Sequence, residues 1–427
     1  MSGGVLGRAR AALYQRYLEA VYRRAARHRR RLGHVIFVAV TGSAGKTTTK
    51  ELVAAVLARR YRGSKSPGTR NAAHWVARTV LGVRRDERFC VQELGASGPG
   101  SLDRAVALVR PRVAVITNIG GDHRKAFRTL DATATEKSKV VNAVPAGGLA
   151  VLNADDPRVL ALAGSCRGHV LTYGLTPDAA VHAESVTSSW PDRLSFIAIH
   201  GEQRVVVHTR FCGVHWVHAC LAAITTGVGL GIPLAEAAAA LADAEPWPGR
   251  LTPVVAGGVT FMRDEVKASL WSIGPSLEFL RGARAPRKVA VIGTISDYGG
   301  RASAVYASVA RQALDVADEV VFVGPQALRC ASARTHPKGA ALHAFLTPRE
   351  AHRHLADTLV PGDLVLLKGS QRADHLLRLM LARDRRIACW RTGCRRATSC
   401  EQCALLRVPE LPWSGGDGVL AGEPADA

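Results

Sequence analysis

The sequence predicts an α/β protein in two units: a larger one on a mostly parallel sheet, then a smaller, doubly wound one. Four observations carry that expectation. Apolar, β-branched runs such as 35–40 and 113–116 lack the alternation of a half-exposed strand, as strands buried on both faces of a parallel sheet do. Helical spacing follows, with Leu52, Val56 and Leu57 on one face. The 427 residues suffice for two or three cores. Pro246, Pro248 and Gly249 break an alanine-rich helix at 245–251, where one unit should end and the next begin.

Residues 1–33 carry many arginines against a single Glu19, and Leu13, Tyr14, Tyr17, Leu18, Val21 and Tyr22 recur every three or four positions. A basic amphipathic helix is expected, laid on an anionic membrane surface or docked by its tyrosine face on the next unit. The formal charge of +22 suits an acidic substrate, nucleic acid or an anionic membrane, and arginine-rich codon usage would produce it too. No apolar run is long enough to span a bilayer and no signal core opens the chain, so a cytoplasmic protein with reduced thiols is expected.

Residues 35–51 read as strand, phosphate loop and helix, a P-loop-type arrangement. In Thr41-Gly42-Ser43-Ala44-Gly45-Lys46-Thr47-Thr48 the glycines let the backbone approach a phosphate chain whose charge meets the free N–H groups of a helix start. Lys46 supplies a point charge to the outer phosphates and the Thr47 hydroxyl suits Mg²⁺, so a nucleoside triphosphate is the expected ligand. The general pattern wants another glycine where Val40 stands. Beyond the helix, the polar, turn-rich segment 64–71 could fold over the nucleotide. The strand 89–92 ends in Glu93, and His123 follows the strand 113–118; both stand where α/β folds place ligand groups, and Glu93 is a metal-ligand candidate.

The loop, with Gln92-Glu93-Leu94-Gly95-Ala96-Ser97-Gly98-Pro99-Gly100, the run 110–120, Thr135-Glu136-Lys137-Ser138-Lys139 and Val151-Leu152-Asn153-Ala154-Asp155-Asp156-Pro157, resembles the central ATPase domain of the Mur ligase superfamily, nearest its D-alanyl-D-alanine-adding branch. The resemblance spans about 34–384 and implies a central ATP-binding domain over 34–245 and a Rossmann-like domain over 246–384. It implies ATP and Mg²⁺ as cofactors, with Thr47, Glu93 and His123 as magnesium ligands. Lys137, by itself a solvated helix lysine, falls where several members carry a carbamate. Gly249-Arg250 matches the hinge into the second domain, and Lys368-Gly369-Ser370 a late turn. Asp264-Glu265-Val266-Lys267-Ala268 resembles a motif bringing an aspartate to the nucleotide and a polar residue to the phosphates, with valine in place of tyrosine. Trp216, His218 and Ala219 stand where asparagines face adenine in the family. Only about 33 residues precede the first strand, so the family's UDP-gripping domain is not matched.

Short alternating segments at 180–212 suggest a β-rich part of the first domain. Cys389, Cys394, Cys400 and Cys403, within fifteen residues, suit a tetrahedral metal, with Zn²⁺ as the default structural ion and an iron–sulfur cluster as the alternative. From 406 the composition reads as a disordered tail. The function the Mur ligase resemblance implies is ATP-dependent ligation of a carboxylate to an amine through an acyl phosphate, with Lys46, His123, Lys137 and Lys267 as catalytic candidates. Arg250 and Asp264 are expected at the ATP. A poly-γ-glutamate-forming ligase, or a nucleotide switch or nucleic-acid-binding ATPase without ligation, are the alternatives.

Overall fold

Strand β1 (Ile36–Thr41), buried along almost its whole length, lies inside a nine-stranded sheet. Around it run β2 (Gly63–Lys65), β3 (Phe89–Glu93), β4 (Val113–Ile116), β5 (Leu149–Asn153), β6 (His169–Gly174), β7 (Val181–Thr187), β8 (Ser195–His200) and β9 (Gln203–His208). The order is β2-β3-β1-β4-β5-β6-β7-β8-β9. Pairing is parallel as far as β7, and β8 and β9 add an antiparallel extension, the β-rich part expected at 180–212. The computed structural model describes residues 3–408 except 395 and 397, with side chains from residue 12 onward.

Both faces of this sheet are covered, which explains the unbroken apolar strands. Leu52, Val53, Val56 and Leu57 of the helix Lys46–Ala58 join Leu221 and Ile224 of Val217–Gly229 on one face. Val76, Val80, Val140 and Val141 lie on the other, with Ala25 and Leu32. Each of these valines, leucines and isoleucines contributes about 1.5–3 kcal/mol for leaving water.

The amino-terminal helix, Gly3–Arg30, docks through its last turns. Buried Arg29 donates to the carbonyls of Val109 (2.8 Å) and Arg110 (3.0 Å) and stacks on Phe37. The tyrosine face packs only in part: Tyr22 is against the core, but Tyr14 and Tyr17 are exposed and Leu13 is 69% exposed. The helix outruns the helices Ala73–Gly82 and Asp103–Val109 that it packs on, so periodicity alone overstates the contact. Among the described residues no helix is long and apolar enough to cross a membrane.

The second sheet has six strands: β10 (Thr252–Ala256), β11 (Val259–Asp264), β12 (Lys288–Ile292), β13 (Glu319–Val323), β14 (Leu342–Phe345) and β15 (Leu364–Lys368). Their order is β10-β11-β15-β12-β13-β14, with β10 alone antiparallel. Register sets Asp264 opposite Lys368 at the carboxyl ends of β11 and β15. Of the tail expected to be disordered from 406, Leu406 is 5% exposed and joins the core cluster of this unit that includes Leu377 and Met380; residues 409–427 lie outside the described residues.

Candidate active site

The carboxyl ends of the parallel strands of both sheets open onto one cavity of about 870 Å³. Ser43 to Thr48, Glu93, His123, Arg250, Asp264 and Lys267 all line it. Thr41 does not: its side chain is buried and donates to the carbonyl of Leu94, shaping the loop from behind.

The loop is built for close approach. Gly45 has φ 72°, a left-handed conformation that leads straight into the helix. A side chain at Gly42 would collide with the Thr117 hydroxyl, its Cβ only 1.8 Å from Oγ1. Asn118 Oδ1 accepts from the N–H groups of Ser43 (3.0 Å) and Ala44 (2.8 Å), holding the turn. Lys46 Nζ donates to the carbonyl of Gly42 at 2.7 Å, curled over its own loop. Burial lowers the pKa of that ammonium, against the pull of Asp122 and Glu93.

Glu93 closes the next layer. Its Oε2 accepts from Thr47 Oγ1 (2.9 Å) and its Oε1 from Asn71 Nδ2 (2.8 Å), and it is 1% exposed. Asp122 Oδ1 accepts from Ser43 Oγ at 2.6 Å and lies 3.6 Å from Lys137 Nζ. Lys137 is fully buried, its ammonium has no hydrogen-bond partner, and burial pushes its pKa down to about 8. It stands behind Asp122 rather than among the lining residues. His123, at φ 49°, is held below its ordinary pKa by burial and by Lys267.

Asp297 crosses between the two sheets. Its carboxylate accepts from the His123 backbone N–H (3.3 Å) and pairs with Lys267 Nζ (2.8 Å). Asp264 is tied down more tightly: Oδ2 accepts from Lys368 Nζ (2.7 Å) and Ser276 Oγ (2.6 Å). Farther along the cavity His218 Nε2 meets Asp155 Oδ2 at 2.8 Å, and Trp216 Nε1 and His215 Nδ1 are buried without partners. Burial pushes His215 down to about 4, so its ring is neutral at ordinary pH.

Sequence reasoning missed Asn71, Asn118, Asp122, Asp155 and Asp297 as site residues. A signal existed for most of them: Asn71 ends the polar segment 64–71, and Asn118, Asp122 and Asp297 follow the carboxyl ends of β4 and β12. The four tail cysteines lie apart from this cavity, around a pocket of their own.

Comparison with known proteins meets this geometry. The Mur ligase middle domain family matches residues 40–227, and the Mur ligase, glutamate ligase domain family residues 249–371. The UDP-N-acetylmuramoyl-tripeptide–D-alanyl-D-alanine ligase of Mycobacterium tuberculosis is 31% identical over 369 residues, covering 80% of this chain and 71% of that protein. The enzyme of the same name from Escherichia coli is 28% identical over 352 residues, covering 80% and 73%. Among solved structures, MurF from Acinetobacter baumannii superposes with a TM-score of 0.78 at 26% identity, over 86% of this chain and 80% of that one. With both sheets matched and their strand ends converging on one phosphate-loop cavity, the chain belongs to the Mur ligase family and is an ATP-dependent, amide-bond-forming ligase.

Proposed function

We propose that ATP lies along the cavity with its phosphates at Gly42–Thr48 and its base toward Trp216 and His218, and that the acyl donor, which first accepts the phosphoryl group, is the carboxylate of a peptide or other acidic molecule. The amine is that of an amino acid or short peptide, in keeping with the ligases this chain resembles. The observation that carries the reading is the meeting of Lys46, Glu93 and His123 from the first sheet with Arg250 and Lys267 from the second over one cavity. A nucleotide switch needs only the loop.

The residues present fit Mg²⁺. Thr47 and Glu93 offer hard oxygen donors within 2.9 Å of each other, and His123 stands on the same cavity. When bound there, Mg²⁺ would supply positive charge to the phosphate oxygens. Lys46 exchanges the Gly42 carbonyl for the outer phosphates, and Arg250 and Lys267 add charge from the second unit. A substrate carboxylate oxygen attacks the γ-phosphorus in line and the bond to ADP breaks. The amine then attacks the acyl carbon; the bond to phosphate breaks and the nitrogen loses a proton. Lys137 suits carbamylation, since its amine, without a hydrogen bond and 3.6 Å from Asp122, is pushed toward neutrality by burial, and CO₂ adds to a neutral amine with loss of one proton. The carbamate would bring an oxygen donor that lysine lacks. The compartment this reading calls for is the cytoplasm, where ATP is supplied.

The test is ATP consumption by the purified chain, alone and with candidate acids and amines. Turnover should be low alone, rise with the correct acid, and give an amide by mass analysis only when an amine is added. Full-rate hydrolysis without a carboxylate, stimulated instead by nucleic acid or protein, would overturn this reading.

A further inference from the structure

The tail cysteines face one another across the second unit. Cys389, Cys394, Cys400 and Cys403 line a single pocket of about 20 Å³ with His375, Arg378 and Arg396. That volume holds one atom-sized guest. None of the cysteines is in a disulfide. His375 is 3% exposed; its Nδ1 lies 3.4 Å from Cys400 Sγ and its Nε2 is buried without a hydrogen-bond partner.

The backbone around the pocket is already closed. The N–H groups of Ala388 and Cys389 donate to the Leu406 carbonyl (3.1 and 3.2 Å), and the Cys403 N–H to the Cys400 carbonyl. Buried Arg378 donates to the carbonyls of Cys389 (3.0 Å) and Arg391 (2.8 Å), anchoring the near side of the loop and placing positive charge where thiolates would gather.

We propose that Cys389, Cys394, Cys400 and Cys403 bind one Zn²⁺ as four thiolates, with His375 packed against Cys400, and that the ion fastens the tail to the turn walling the active cavity. Four S–H bonds break, four S–Zn bonds form, and four protons leave to solvent. Among the described residues, three potential ligand atoms lie within 4.8 Å of one another only at Glu319, His343 and His354. The sulfurs therefore ring the pocket more widely than bonds of about 2.3 Å to one ion would hold them, and side-chain rotation draws them in. The Glu319 group is a weaker candidate, because Arg287 already pairs with that carboxylate and His354 bonds it at 2.5 Å.

The link to the cavity is short. Asp374, next to His375, accepts from the N–H groups of Ser370 (2.8 Å) and Thr294 (2.7 Å), and Ser370, Gln371 and Arg372 line the cavity. A metal holding His375's neighbours thus steadies the wall that follows β15.

Metal analysis of the purified full chain should give about one zinc per chain, lost in Cys400→Ser with Cys403→Ser. X-ray absorption at the zinc edge of the unaltered chain should show four sulfur neighbours near about 2.3 Å. Chelation of the unaltered chain should expose 385–408 to protease, roughly tenfold faster cleavage, reversed by added Zn²⁺. Absence of stoichiometric metal, nitrogen and oxygen neighbours alone, or zinc retained by the double variant would each overturn the proposal. None of these readouts depends on ligase activity.

Discussion

The two walls of the cavity carry the same chemistry, lysines beside carboxylates, in opposite states of satisfaction. On the phosphate-loop side, Lys46 rests on carbonyls of its own loop, and buried Lys137 has no hydrogen bond and meets the Asp122 carboxylate only at 3.6 Å. On the other side, Lys368 is locked to Asp264, which also holds Ser276, and Asp374 binds Thr294 and Ser370. A charge held by neutral carbonyls, or by a loose ion pair without a hydrogen bond, is ready to exchange them for a stronger anion. A charge in a closed, buried pair resists exchange, because breaking it leaves its partner stranded. The first wall is thus arranged to receive ligand and the second to keep shape.

If that contrast is right, Lys46→Ala should have the largest effect, and on turnover alone. Loss of roughly a thousandfold in substrate-stimulated ATP consumption is expected, with an unchanged melting temperature, since a charge poised for the transition state contributes little to packing. Turnover near that of the unaltered chain would remove the loop from the reaction. Lys368→Met should reverse the pattern. With Asp264 left buried and short of its cation, denaturant unfolding should show a stability loss of about 3–5 kcal/mol. An unchanged midpoint would mean that the second wall is as loosely held as the first.

The smallest effect, and the sharpest probe of readiness, is expected at Lys137. Its pKa falls from 10.5 to about 8 in the folded chain through burial. Between those values the folded state binds fewer protons than the unfolded one, so this group's unfavourable contribution to stability is full below about 8 and shrinks as pH rises, vanishing above 10.5. The neutral amine, and with it the carbamate, also grows with pH. Turnover in CO₂-depleted buffer should drop roughly tenfold near neutrality and recover with bicarbonate, more readily as pH rises. Indifference to CO₂ across that range would leave Lys137 as a buried structural lysine.

What the sequence disclosed follows the same divide. Lys46, Thr47, Glu93 and His123 were legible because each sits at or just past a strand end, a position that local pattern predicts. Asp264 was legible as a motif residue, but not as the partner of Lys368 104 positions away, because that pairing depends on the register of β11 against β15. Asp297 was missed for the same reason: nothing near it in the chain announces His123. Tyr14 and Tyr17 show the converse error, in which periodicity fixed a helical face but not where its support ends.

The units also touch away from the cavity. The loop between β7 and β8 donates from Ser189 Oγ to the Gly282 carbonyl and accepts at the Trp190 carbonyl from the Arg284 N–H, while Arg284 pairs with Asp192. Two of these three contacts are neutral hydrogen bonds and the third is an exposed ion pair, whereas at the cavity Asp297 accepts across the units only from the His123 backbone N–H and its ion pair with Lys267 stays within the second unit. Mechanically this is a joint pinned at two separate points. Dissolved salt weakens ionic contacts far more than neutral ones, so rising ionic strength should release Arg284 from Asp192 first and leave the units held by the Ser189–Trp190 contact and the His123–Asp297 bond.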